Sequence, residues 1–215
     1  MLGRAAVAMW WDIPAGMQAE FEDWHSHEHM PERLAIAGFL RGTRWIAVSG
    51  EPSYFVLYEA AEPATLAGDA YLERLNDPTP WSRKMMPYHQ NMVRSLCRVR
   101  ASFGRGLAHA VATVRFSPAP GSAGALADRL AAHALPALPA RPGLTAAHLL
   151  ESQPMGGAQS AEQKIRGQDA VADWALLVCG YDAEAVQAAI REHSALPGAV
   201  TGLYRAAFSL TSSER

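Results

Sequence analysis

The sequence predicts an α+β fold: two tandem βαββαβ units whose antiparallel sheets pack into one α/β barrel. Three observations lead there. The order of strand-like and helix-like stretches in the first half recurs in the second. Landmarks recur with it: Gly38-Phe39-Leu40 aligns with Gly143-Leu144, Tyr54 to Tyr58 aligns with Trp174 to Val178, and His29-Met30-Pro31 resembles His133-Ala134-Leu135-Pro136 with one residue inserted. Finally, most strands are apolar on both faces. Val7, Met9 and Trp11 alternate with Ala6, Ala8 and Trp10, and Tyr54, Val56 and Tyr58 alternate with Phe55 and Leu57. A sheet with two apolar faces needs two covers: helices supply one, and the sheet of the other unit supplies the second.

Each element follows from local signals. Val7 to Trp11 is a short strand, and Pro14-Ala15-Gly16 opens a helix from about Met17. Gly38-Phe39 begins a strand to about Val48, Gly50-Glu51-Pro52 turns, and Ser53 to Glu59 returns. Pro63 starts a helix to about Leu75. The Pro-rich link from Asp77 to Pro80 leads to a short helical piece ending near Met86, then a strand from Asn91 to Arg100. In the second half Leu107 to Phe116 is a strand, Ala123 to Ala134 a helix and Leu144 to Leu150 a strand. A loop follows over 152–168. Asp173 to Cys179 is a strand, Asp182 caps a helix to about His193, and Val200 to Leu210 is the last strand. The order in each half is the ferredoxin-like split unit, which divides the chain into a first unit over 1–103 and a second, degenerate unit over 104–215.

Composition narrows the function. The 215 residues are 49% hydrophobic and 19% charged, with a formal net charge of −2. That balance, with no Lys/Arg cluster, gives no electrostatic case for nucleic acid. No run approaches the ~18 apolar residues of a membrane span. The N-terminal stretch has a short apolar run interrupted by Asp12 and no small-residue cleavage site, unlike a secretory signal. Cys97 and Cys179 sit in apolar runs without ligand spacing, which suits reduced thiols and a cytoplasmic location. There is no phosphate-binding Gly loop and no nucleophile elbow.

The stretch from Trp24 to Arg33, WHSHEHMPER, concentrates three of the eight histidines. On a wheel of about 100° per residue, Met17, Phe21 and Trp24 form the core stripe, and Glu28 continues it. His25, His29 and Glu32 lie beside the stripe, whereas His27 falls on the solvent side. Ionisable groups next to a core must be paired or stay neutral. His25, Glu28 and His29 are therefore the candidate acid–base residues, with the Glu orienting an imidazole. The competing reading is that they satisfy backbone groups at a kink before Pro31. The i, i+4 spacing of His25 and His29 also suits one metal ion, with Glu28, Glu32 or His89 as third ligand. No H-E-x-x-H pattern supports it, and no metal or cofactor is expected.

Arg41 and Arg44 lie on opposite faces of the second strand, and either is a candidate anion contact or a strand-end ion pair. Trp10, Trp11, Trp45 and Tyr58 read as core or as the lining of an aromatic cleft, with Trp10 and Tyr58 the candidate substrate contacts. Trp81, Met85, Met86 and Tyr88 form an apolar segment placed to lid one end of the barrel or to meet another subunit.

Residues 21–45, FEDWHSHEHMPERLAIAGFLRGTRW, resemble the signature of EthD-like proteins of the dimeric α/β-barrel superfamily. The matching positions are Trp24, His25, Glu28, His29, Pro31 and Glu32, then Gly38-Phe39, with Ala37 where that family usually has Pro. The resemblance implies a ferredoxin-like barrel with both units in one chain and a loose link to degradation of small organic compounds. Asp128 to His133 lacks the motif, so any site belongs to the first half. The reading is a cofactor-independent enzyme acting by proton transfer or oxygenation. The alternative is a non-catalytic small-ligand or oligomer-forming protein. A small-molecule ligand and a homodimer are the partners left open.

Overall fold

The computed structural model describes residues 1–154, 158–167, 169–192 and 195–214. The first half runs β1 (Ala5–Asp12), a 3-10 turn, α1 (Gln18–Trp24), a π-helical turn (His25–His29) and α2 (Met30–Leu34). It continues through β2 (Phe39–Gly50), β3 (Tyr54–Ala60), α3 (Pro63–Ala67), α4 (Asp69–Asn76), α5 (Pro80–Met85) and β4 (Gln90–Gly104). The second half is β5 (Ala110–Phe116), α6 (Ala123–Arg129), a second π-helical turn (Leu130–Ala134), β6 (Leu144–Ser152), α7 (Ala161–Arg166), β7 (Trp174–Gly180), α8 (Ala183–Arg191) and β8 (Val200–Thr211). The end expected for α8 at His193 falls outside the described residues.

Each unit orders its four strands alike, β4-β1-β3-β2 and β8-β5-β7-β6. The pairings β2–β8 and β4–β6 close the ring, and every pair is antiparallel. Strand alternation then makes three layers. Ala6, Ala8, Trp10, Phe55 and Leu57 fill the barrel with Leu150, Leu177 and Tyr204 of the second unit. Trp10 stacks on Phe55 at 4.9 Å and donates its indole N–H to Thr113 Oγ1 at 3.2 Å, joining the halves inside the barrel. Val7, Met9, Trp11, Val56 and Tyr58 face outward under the first unit's helices. Val114, Phe116, Leu176 and Val178 do the same under the second unit's.

The duplication is visible in hydrogen bonds. In the first π turn the Met30 N–H donates to the His25 carbonyl; in the second, Leu135 donates to Leu130 at 3.0 Å. Both bonds span five residues, and both precede a proline, Pro31 or Pro136. A proline inside a helix lacks the N–H and its ring presses on the carbonyl four residues back. Widening the preceding turn relieves that contact, so the helix passes through Met30-Pro31 instead of ending there. The turns match His25 to Leu130 and His29 to Ala134, with no insertion; His133 is exposed. Gly38 and Gly143, both left-handed at φ 92° and 86°, open the second strand of each unit.

Some sequence expectations shift. The helix expected over 63–75 breaks at Gly68, which is extended. The loop expected over 152–168 contains α7, held by a capping box between Ser160 and Gln163. Met85 and Met86 are buried between the first unit's helices and sheet, so they do not lid the barrel end. Among the described residues, no helix is long and apolar enough to cross a membrane.

Candidate functional site

The largely apolar helix-to-sheet layer of the first unit holds a cluster of buried ionisable groups. There the π turn sets His25 and His29 side by side, with ring centroids 5.7 Å apart. Both are buried, at 1% and 9% exposure. Arg33, one α2 turn further on, continues the same face and is buried too. Opposite them stand Trp11 of β1 and Tyr58 of β3, whose hydroxyl lies 3.3 Å from His25 Nε2. His89, in the turn before β4, packs against Trp11 at 5.0 Å. These residues, with Met9, Met86 and Met92, surround a cavity of about 30 Å³.

The second unit completes this wall. Helix α7 brings Glu162 and Arg166 onto the first unit's site. The Glu162 carboxylate pairs with Arg33 and lies 3.6 Å from Arg166, which pairs with Asp169 at 2.9 Å. Arg94 of β4 donates to the Tyr71 hydroxyl at 2.8 Å.

Electrostatics follow from burial. Loss of water holds His25 and His29 well below the usual imidazole range, and Arg44 and Arg33 respectively add the next-largest push in the same direction. Burial and then Arg166 bring His89 down to about 3. All three are neutral at pH 7. Burial pushes the Tyr58 hydroxyl up, so it stays protonated. For Arg33, burial is the largest influence and opposes the charge, but Glu162, Tyr71 and Tyr58 together outweigh it and raise its pKa.

Four buried polar atoms around the cavity have no hydrogen-bond partner: His25 Nδ1, His29 Nδ1, Trp11 Nε1 and Arg33 Nη1. Buried polar groups are ordinarily satisfied, and each exception costs roughly 1–3 kcal/mol. All four belong to residues around one small cavity: two groups that can only donate and two imidazole nitrogens of either role. The matching positions in the second unit hold Leu130, Ala134 and Phe116, packed as apolar core or filler.

The structure splits the residues singled out from sequence. His25, His29 and Tyr58 line the cavity. Glu28 does not: its carboxylate accepts from Trp24 Nε1 at 3.1 Å and Thr79 Oγ1 at 2.6 Å. A π turn advances by less than the 100° used for the wheel, so Glu28 rotates off the stripe it was expected to continue. Arg44 lies on the helix side but outside the cavity, between the Phe21 and Phe208 rings, donating to the Glu22 carbonyl. Arg41 and Trp10 are on the barrel side of the sheet, where Arg41 is ion-paired with Glu59. His27 is exposed beside Asp23. Among the described residues, no three His, Cys, Asp or Glu side chains gather as a metal cluster.

Sequence reasoning did not single out Arg33, Glu162 or Arg166 as site residues, and left Trp11 as core or the lining of an aromatic cleft. Arg33 extends the i, i+4 series of His25 and His29. The Ser160 to Gln163 capping box is the local signal for α7, but nothing local says that α7 crosses to the other unit.

No protein-family model matches the chain, and no curated relative does. Solved structures match in shape. An anthrone oxidase-like protein superposes with TM-score 0.64 at 12% identity, covering 100% of this chain and 95% of its own. A candidate monooxygenase of Fusobacterium nucleatum subsp. nucleatum gives 0.60 at 9%, covering 98% and 96%. The shared fold is the closed eight-stranded barrel with helices outside it. A chlorite dismutase from Candidatus Nitrospira defluvii shares this barrel, with TM-score 0.53 at 8% identity over 93% and 90% of the two chains. At such identities the likeness speaks for the barrel alone.

Proposed function

We propose that this barrel is an EthD-like small-molecule enzyme that works by proton transfer, alone or as the first step of an oxygenation, in the helix-to-sheet cavity of its first unit. One observation carries the reading. Two neutral, buried imidazoles each keep a ring nitrogen without a partner at the same cavity. Such a nitrogen can take a proton from a bound acid. His25, oriented by Tyr58, is the base, and His29 is the neighbouring relay. Glu28 acts at a distance, by fixing Trp24, which packs on the His29 ring at 4.5 Å. Neither Arg41 nor Trp10 reaches this cavity, so the substrate contacts fall to Tyr58 and to Arg33. The anthrone oxidase-like and monooxygenase-like shapes favour a small organic substrate and oxygenation as the coarse class.

The size of the cavity favours a second reading, ligand binding without turnover. About 30 Å³ holds one or two waters. An organic ligand must therefore displace Met9, Met86 or Met92, whose unbranched side chains adapt readily. The division at 103 and 104 and a cytoplasmic location, suited to two free cysteines, belong to the same proposal.

The test is a screen of enolisable and phenolic compounds for solvent deuterium exchange and oxygen uptake, with His25→Gln and His29→Gln alongside the parent protein. A loss of about 10²-fold or more in His25→Gln is expected for general-base catalysis. Equal rates in parent and variants would sink the catalytic reading, and saturable binding without exchange would select the second.

A further inference from the structure

We propose that the cavity takes a small organic oxyanion, met by Arg33 and Trp11: either a carboxylate, or the enolate or phenolate left when a neutral acid gives up its proton. This rests on the ligand-site reading above and adds the chemical class of the ligand.

The unpartnered atoms decide the class. An indole N–H and a guanidinium N–H can only donate. Trp11 Nε1 and Arg33 Nη1 are both buried and both without an acceptor. A ligand that satisfies them must bring acceptors, and the charged donor favours a negative oxygen. His25 Nδ1 and His29 Nδ1 can serve in either role, so they add no conflicting demand.

The charges point the same way. Arg33, Arg94 and Arg166 all line the cavity, whereas Glu162 is the one carboxylate among the described lining residues. Glu162 is shared between two guanidinium groups, Arg33 and Arg166, and Asp169, outside the lining, pairs with Arg166 at 2.9 Å, so three guanidinium groups stand against two carboxylates. The imidazoles are neutral. A neutral ligand would leave the Arg33 donor paired with a weak acceptor, while an oxyanion forms a charge-assisted bond in a low-dielectric setting. For an enolisable or phenolic acid the balance is simple: the C–H or O–H bond breaks, the proton goes to His25 Nδ1, and the electron pair stays on the substrate oxygen facing Arg33.

The experiment uses the full chain with ¹⁵N-labelled histidine, at ionic strength fixed with sodium chloride. The probes are acetate, its neutral isostere acetamide, and 4-nitrophenol, whose absorbance reports ionisation. Acetate is expected to shift the His25 and His29 ring signals saturably and at least 10-fold more tightly than acetamide. Arg33→Gln is expected to weaken acetate at least 10-fold and acetamide by a much smaller factor, with Arg33→Lys between. Bound 4-nitrophenol ionising below its free pKa marks the phenolate source; acetate binding without that shift marks the carboxylate source. Because Arg33→Gln leaves Glu162 with only the more distant Arg166, Arg33→Gln/Glu162→Gln provides a second readout, its fold checked by circular dichroism. Acetamide binding as tightly as acetate, or anion affinity unchanged in both variants, overturns the oxyanion assignment while the ligand site stands. If no probe moves His25 or His29, both fall.

Discussion

The Trp24 indole donates to the Glu28 carboxylate at 3.1 Å, and this bond draws Glu28 away from the two histidines that flank it in sequence. The same carboxylate accepts from Thr79, whose hydroxyl also caps α5 by accepting from the Ser82 N–H at 3.0 Å. Glu28 thus ties the π turn to α5. Glu28→Ala removes both bonds and should cost roughly 2–3 kcal/mol of stability, since hydrogen bonds to charged groups contribute about 1.5–3 kcal/mol. Glu28→Gln should cost less, because it keeps an acceptor. Urea denaturation of the two variants measures both, and equal losses would refute the charge-assisted account.

Acid should loosen the first unit before it titrates most carboxylates. His25, His29 and His89 are neutral in the fold, with pKa values held down mainly by burial. Once unfolded they bind protons near the ordinary value of about 6.5. Between that value and the depressed folded one, the unfolded chain holds more protons, so stability falls as pH falls. For His89 the window closes at about 3. Each such histidine contributes up to about 1.4 kcal/mol per pH unit inside its window, and stability should be flat in these groups above pH 7. Denaturant midpoints between pH 4 and 8 check the slope; a midpoint that does not fall below pH 6 would contradict it.

The buried Arg33–Glu162 pair joins the halves across the cavity. Glu162→Ala strands the Arg33 charge and should destabilise by about 3–5 kcal/mol. Arg33→Met/Glu162→Leu removes both charges and should restore most of that loss. Thermal unfolding of the two variants, read together, separates a stranded charge from lost packing.

His29→Leu places an apolar side chain in a position whose counterpart in the second unit is apolar Ala134. It removes the unpartnered Nδ1 and should raise stability by about 1 kcal/mol, while weakening any ligand of the cavity. That opposition of stability and binding is the usual mark of a functional site. A variant that is both less stable and unchanged in binding would argue for a structural role.

The barrel was legible because it rests on repetition and on two-faced strands, both one-dimensional signals. The register at Gly38 and Gly143, and Tyr54 opposite Trp174 in the repeat, follow from them. The site was half legible. His25 and His29 were visible because polar groups beside an apolar stripe stand out, and Tyr58 because a strand aromatic is either core or the lining of a cleft. Glu28 was misplaced because a π turn rotates its residues by a different angle from an α turn. Trp10 and Arg41 lie across the sheet from this cavity, because alternation tells which residues share a face, not which face carries the cavity. Glu162 and Arg166 were hidden because their contact joins α7 to the first unit across more than a hundred residues of sequence, with no local trace.

The fusion of both units also fixes a stoichiometry. A barrel made from two identical chains must repeat any cavity on both sides. Here Leu130, Ala134 and Phe116 occupy the second copy's place, so among the described residues the barrel offers one such cavity per 23.2 kDa chain. Saturation should therefore follow a simple hyperbola with one equivalent bound. Selection on the remaining cavity acts without a mirror image that must change alongside it, which leaves α7 free to specialise as the wall of a neighbour's site.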